Sequence, residues 1–199
     1  MNNRFKHFLN LDEISKNDIN LILSESHKIK KKSSDHTFKK KKILAMIFEK
    51  PSTRTRVSFE VGMKQLNGDV VILDHADSQL GRGESLEDTI KVLSKYVDII
   101  LYRGSCEEKM YDLKNFSTVP IINGLTDQSH PCQIIADILT LQENFPTLDN
   151  LNISWVGDGN NVCNSWIHSC KHFNFNLNIA CPENSFPDQK ILKKYKSSK

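Results

Sequence analysis

The sequence predicts an α/β protein, a parallel sheet with helices on both faces followed by the start of a second α/β domain. Three observations predict it. From Ile43 onward, short Ile/Leu/Val-rich runs alternate with stretches whose apolar residues recur at helical spacing. The run Ile43–Phe48 is apolar throughout, as a strand covered on both faces must be. Helical stretches open on Ser-x-x-Asp or Pro signals and close on turn residues.

In chain order, Ser15-x-x-Asp18 reads as a capping box for a helix whose stripe is Ile19, Ile22 and Leu23. That helix runs into the lysine-heavy stretch Lys28–Lys42. Phe38 is the only aromatic interleaved there, so a solvated helix end and loop is favoured over a nucleic-acid patch. After the first strand comes a helix with Phe59, Met63 and Leu66 on one face, stopped by Asn67-Gly68. Val70–Leu73 is the second strand. Ser85-x-x-Asp88 caps a helix carrying Leu86, Ile90, Leu93 and Val97. Ile99–Tyr102 is the third strand, 108–116 a short helix and Val119–Ile122 the fourth strand. Pro131 opens a helix with Ile134, Ile135, Ile138 and Leu141 turned inward.

Phe145-Pro146-Thr147 reads as a hinge, which divides the chain into domains 1–146 and 147–199. The second holds strand Ile153–Val156, turn Gly157-Asp158-Gly159, a helix from about Asn161 and strand Phe175–Ala180. Lys190–Lys199 is mostly lysine and serine and offers little apolar surface. Two strands are too few for an independent domain, so this unit is expected to be incomplete.

Composition bounds the function. The chain has 199 residues, 38% apolar and 26% charged, enough to bury a core. Its net charge of +3 is too small to argue for a nucleic-acid or membrane partner. No apolar run approaches the ~20 residues of a membrane span, and no signal-peptide block follows Met1. The five cysteines include no C-x-x-C pair, so a disulfide scaffold is not expected and a reducing cytoplasm is.

The chemistry concentrates at strand ends. Phe48-Glu49-Lys50-Pro51-Ser52-Thr53-Arg54-Thr55-Arg56 joins a buried strand to a helix, so free N–H groups and the positive helix end face whatever lies beyond the strand. The hydroxyls of Ser52, Thr53 and Thr55 and the forked charges of Arg54 and Arg56 add the donors a phosphate dianion requires. No P-loop pattern is present. The glycine-containing stretch His75–Glu84 is expected to be a mobile functional loop. Arg103 ends the third strand, and Asn123–Gln133 follows the fourth, with Pro131 placing His130 at a helix N-cap. Histidine there can donate to a carbonyl oxygen, and Gln133 offers both a donor and an acceptor. Together these residues argue for a ligand with a phosphate and a carbonyl, bound without metal.

Phe48–Val162 resembles the aspartate/ornithine carbamoyltransferase family, whose carbamoyl-phosphate motif matches Ser52-Thr53-Arg54-Thr55-Arg56 and whose second motif matches His130-Pro131-Cys132-Gln133. Within it the likeness is to the ornithine branch, through Ser78-Gln79-Leu80-Gly81-Arg82-Gly83-Glu84-Ser85, Asn123-Gly124-Leu125-Thr126-Asp127 and Gly157-Asp158-Gly159-Asn160-Asn161-Val162. The aspartate branch would carry a lysine in the loop after the second strand, and His75–Glu84 has none.

The resemblance implies transfer of the carbamoyl group of carbamoyl phosphate to the δ-amine of L-ornithine, giving citrulline and phosphate, an arginine-biosynthesis or urea-cycle step. It implies that Ser52, Thr53, Arg54 and Thr55 cradle the phosphate and that Gln79 reaches carbamoyl phosphate from a neighbouring subunit of a homotrimer. It implies that Arg103, His130 and Thr55 polarise the carbonyl, that Gln133 binds the carbamoyl amine, and that Pro131 and Cys132 shape that turn. Asn161 would begin the ornithine site. No cofactor, metal or covalent intermediate is implied.

The family's later ornithine-binding motifs, a Ser-Met-Gly loop and a His-Cys-Leu-Pro segment, are not found in the sequence. A fragment or a truncated relative is therefore expected, and a non-catalytic protein that binds carbamoyl phosphate or assembles with full-length subunits is the alternative. Two other readings are weaker. Gly157-x-Gly159-x-x-Val162 lacks the third glycine of a dinucleotide fingerprint. Cys163, His168, Cys170 and His172 lack the close pairing of a zinc site, and His168 and Cys170 would project from opposite sides of a helix.

Overall fold

The computed structural model describes residues 7–32, 35–74 and 84–196. They form two compact units: Lys32–Thr126 with the described residues up to Leu9, and Asn10–Lys31 with Asp127–Lys199.

The first unit is built on four parallel strands, β1 (Ile43–Phe48), β2 (Asp69–Asp74), β3 (Ile99–Arg103) and β4 (Ile121–Leu125), in the order β2-β1-β3-β4. Alternate side chains of the central strands feed two separate cores. Ala45, Ile47, Ile100, Tyr102 and Ile121 pack with Ile90 of α3 (Leu86–Tyr96) and with Met110 and Leu113 of α4 (Glu107–Phe116). Leu44, Met46, Phe48 and Leu101 pack on the other face with Phe59 and Met63 of α2 (Thr53–Gln65). The fold is therefore α/β with helices on both faces of a parallel sheet, and the apolar run of β1 is explained by its burial on both sides. Each of the buried Leu, Ile, Met and Phe side chains contributes roughly 1.5–3 kcal/mol on burial.

The expected caps form. Ser85 Oγ accepts from the Asp88 N–H at 3.0 Å, and α2 stops where Asn67 takes φ +62° and Gly68 N–H donates to Met63 O at 2.7 Å. The left-handed position thus falls on asparagine, which tolerates it. The glycine is needed for closeness: a Cβ on Gly68 would lie 2.9 Å from Lys42 O.

The fourth strand differs from expectation. It was expected over Val119–Ile122 with Asn123 and Gly124 in the following loop, yet it spans Ile121–Leu125. Asn123 is held in the strand because Phe8 pairs beside it, Asn123 N–H donating to Phe8 O at 2.8 Å and its side-chain amide to Leu9 O at 2.9 Å. A register shift accompanies this: Tyr102 pairs with Asn123 but Arg103 with Leu125.

In the second unit α1 (Lys16–Lys30), capped by Ser15, packs against α5 (Pro131–Asn144), which packs on α6 (Asn161–Ser169). A two-stranded parallel sheet, β5 (Asn152–Val156) and β6 (Asn176–Ala180), accompanies them. Residues 10–31 and 127–146, which lie before the Pro146 hinge in the sequence, thus pack with this unit.

The carboxy-terminal stretch also departs from the sequence reading. Gln189–Lys196 is a helix, α7, whose Leu192 and Tyr195 face Ile167 and Cys170 of α6 across a cleft of about 400 Å³. Among its lysines, Leu192 and Tyr195 stand at i, i+3 and so share one side of the helix.

Candidate functional site

In the first unit the carboxyl ends of β1 and β3 lie side by side, Phe48 in register with Arg103 and Glu49 N–H donating to Arg103 O at 2.9 Å. The chain leaving β1 enters α2 with Ser52 as its N-cap, Ser52 Oγ accepting from the Thr55 N–H at 3.3 Å. This brings Ser52, Thr53, Arg54 and Thr55 to a helix start, where unsatisfied N–H groups attract anions.

Arg103 completes that corner. Its Nη1 donates to Thr55 Oγ1 at 3.0 Å, and its buried Nε finds no partner among the described residues. Burial first, and then the positive charge of Arg54, push the Arg103 guanidinium below its usual pKa. A guanidinium remains charged at neutral pH regardless, so the corner holds two mutually repelling cations.

Arg56 is placed otherwise than the sequence reading expected. Its guanidinium turns to the end of β2, where Nη1 meets Asp74 Oδ2 at 3.1 Å. Arg103, from a different strand, is the guanidinium that reaches Thr55.

Two neighbours shape Arg103. Tyr102, on the opposite side of the strand, donates from its hydroxyl to Glu49 Oε2 at 2.8 Å, and Glu49 Oε1 meets Lys109 at 3.3 Å. Gly104 is tightly enclosed by that pair, since a Cβ there would lie 2.2 Å from the Tyr102 hydroxyl. Neither Glu49 nor Gly104 carried a recognisable signal in the sequence beyond standing at strand ends.

Gln79 lies outside the described residues, as does nearly all of the loop His75–Glu84.

The remaining residues belong to the second unit. His130 is the N-cap of α5 with Pro131 at its first position. Its backbone N–H donates to Ser165 Oγ at 2.8 Å, and Gln133 N–H donates to His130 O at 3.2 Å. The Gln133 side chain lies exposed and donates to Asp137 Oδ1 at 2.8 Å; burial pushes the Asp137 carboxyl up despite that bond. Burial pushes the Cys132 thiol up to about 12, so it stays protonated and packs rather than reacts. Asn161 opens α6 behind the Asn160 cap, whose side chain accepts from Val162 and Cys163 N–H at 3.0 and 3.2 Å.

Among the described residues no three His, Cys, Asp or Glu side chains gather as a metal site. His168 and His172 instead meet Asn10 Oδ1 and Leu11 O, each at 2.7 Å. Within the lysine-rich stretch, Lys28, Lys30, Lys41 and Lys42 face Glu25, Glu143, Asp69 and Asp98 at 2.6–2.7 Å. Among the described residues, no helix is long and apolar enough to cross a membrane.

Residues 6–143 match the model of the aspartate/ornithine carbamoyltransferase carbamoyl-P binding domain, and 149–199 match that of the Asp/Orn binding domain. An ornithine carbamoyltransferase of Ruthia magnifica subsp. Calyptogena magnifica is 46% identical over 193 residues, 96% of this chain and 64% of that protein. The chain thus spans just under two thirds of that relative's length. Among solved structures, the ornithine carbamoyltransferase from Pyrococcus furiosus superposes with a TM-score of 0.88 at 43% identity, covering 94% of this chain and 61% of that one. The corresponding enzyme from Burkholderia thailandensis E264 gives 0.87 at 38% identity, over 94% and 66%. With two family domains matched in order and the same α/β architecture, the chain belongs to the aspartate/ornithine carbamoyltransferase family.

Proposed function

We propose that this chain carries the carbamoyl-phosphate half and the beginning of the ornithine half of an ornithine carbamoyltransferase. The observation that supports this most is the pair of guanidinium groups, Arg54 and Arg103, crowded beside the hydroxyl-lined start of α2. Two cations repelling each other are costly until a dianion enters, and phosphate is the dianion that forked donors and helix N–H groups accept best.

In this reading Ser52, Thr53, Arg54 and Thr55 hold the phosphate, Arg103, His130 and Thr55 draw charge onto the carbamoyl oxygen, and Gln133 takes the carbamoyl amine. Pro131 and Cys132 keep the His130 turn in shape, Gln79 contacts carbamoyl phosphate from a neighbouring subunit of a homotrimer, and Asn161 begins the ornithine site. The neutral δ-amine attacks the carbamoyl carbon and the carbonyl becomes a tetrahedral oxyanion. The intermediate then collapses: the carbonyl re-forms, the bond between the carbamoyl carbon and the bridging oxygen breaks so that phosphate leaves with that oxygen, and the nitrogen's proton passes to the departing phosphate. Donors aimed at the oxyanion and the close approach of two substrates supply the acceleration, as oxyanion stabilisation and positioning do in acyl transfer generally. Residues 1–146 would serve the first substrate and 147–199 the second, in a cytoplasmic step of arginine metabolism.

The test is to incubate the purified chain with carbamoyl phosphate and either ornithine or aspartate, while measuring carbamoyl-phosphate affinity by calorimetry. Citrulline from ornithine and nothing from aspartate is the expected outcome. Retained affinity with no product would favour a carbamoyl-phosphate-binding protein that does not turn over, and no affinity at all would dismiss the assignment.

A further inference from the structure

We infer that Ser165 is a positioning residue, which holds His130 for the carbamoyl carbonyl and ties it to the helix that begins the ornithine site. The inference rests on the roles proposed above for His130 and Asn161. Ser165 sits in the second turn of α6 with no exposed surface, among neighbours on that helix that are also buried. Its hydroxyl donates to Asn161 O at 2.9 Å and accepts from His130 N–H at 2.8 Å. Because the hydroxyl proton is committed to Asn161, its lone pairs face the His130 amide, and the three groups form one polarised run.

The residue before Ser165 reinforces the same attachment. Asn164 Nδ2 donates to Gln128 O at 3.1 Å, so α6 grips the turn at two points two residues apart. A serine needed only to cap its own helix turn would bond Asn161 O and nothing more. Ser169 is that case: equally buried on the same helix, it donates to Trp166 O at 2.6 Å. Ser165 differs in reaching an amide 35 residues away in the chain, one whose side chain belongs to the second family motif. Since Pro131 has no N–H, the His130 amide is the last backbone donor before α5, and its anchorage sets where the imidazole starts.

Amide hydrogen exchange on the 199-residue chain, read residue by residue by NMR, tests the anchorage directly. Ser165→Ala should expose the His130 amide to exchange at least about tenfold faster, as loss of a buried hydrogen bond predicts, while Ser169→Ala should leave it protected. Calorimetry adds the functional arm. Ser165→Ala should weaken carbamoyl phosphate about fivefold to tenfold, the worth of one misplaced donor, and leave inorganic phosphate, which lacks the carbonyl, unchanged. Ser169→Ala should change neither. Equal His130 exchange in the wild type and Ser165→Ala overturns the inference whatever the binding shows, as does an equal effect of Ser169→Ala. If the wild type binds no carbamoyl phosphate, the function proposed above fails, and the exchange arm still decides whether Ser165 holds His130.

Discussion

At the scale of single residues, the decisive property of Arg103 is its shape as well as its charge. It donates to Thr55 Oγ1 through Nη1, while its Nε is buried and finds no partner among the described residues. Lysine offers one compact charge and cannot engage Thr55 and a ligand oxygen at once as a fork does. Arg103→Lys should therefore bind carbamoyl phosphate at least about tenfold more weakly despite keeping the charge, from the ~1.5–3 kcal/mol carried by a charge-assisted bond. Arg54→Ala should remove saturable binding in calorimetry, and an unchanged isotherm would end the assignment. Gly104→Ala probes the same corner from behind. A methyl 2.2 Å from the Tyr102 hydroxyl must break the Tyr102–Glu49 bond, so denaturation should show a loss of about 1–3 kcal/mol.

Among the elements, legibility tracked how local the cause was. The Ser15 and Ser85 starts, the buried β1 and the Pro131 start of α5 all depend on residues within a few positions, and all were legible. The boundary of β4 was not, because Phe8, more than a hundred residues earlier in the chain, pairs beside Asn123 and keeps it in the strand. The Ser-Thr-Arg-Thr-Arg run was legible as the handover from a buried strand to a helix, yet the allocation of its arginines was not. Asp74 ends a neighbouring strand and draws Arg56 away, which only the sheet order β2-β1-β3 brings about. The helix α7 was missed because lysines dominate its composition, while its apolar Leu192 and Tyr195 line the cleft beside α6. Its contribution is measurable: Leu192→Ala should cost about 1–2 kcal/mol, the worth of a partly buried leucine, and speed exchange of the α7 amides first. Unaltered α7 exchange would show that the helix holds without this contact.

For the molecule as a whole, the chain passes between its two units three times, at Leu9–Asn10, Lys31–Lys32 and Thr126–Asp127. The second unit is therefore assembled from both ends of the sequence, and two buried histidines sit where those ends meet. His168 contacts Asn10 and His172 contacts Leu11 O, while Asp12 pairs with Lys194 of α7 at 2.6 Å and accepts from Lys171 through its carbonyl. Burial is the largest influence on both rings and lowers their pKa below the ordinary 6.5; Lys194 pushes His168 the same way and Asp12 opposes it, while for His172 the Leu11 carbonyl and Asp12 oppose and Lys171 and Lys16 push with burial. A ring whose folded pKa is depressed binds fewer protons folded than unfolded, so its stabilisation is complete above 6.5 and is lost as pH falls through the folded value. Below about pH 6.5 the chain should lose stability by up to ~1.4 kcal/mol per pH unit for each histidine that must take a proton. His172→Gln retains an amide donor for Leu11 O but cannot titrate, so urea denaturation between roughly pH 8 and 5 should show a shallower decline than the wild type. An identical slope would mean that the joining of the two chain stretches does not depend on the His172 ring being neutral, and the decline would then rest on His168, whose pKa burial also lowers.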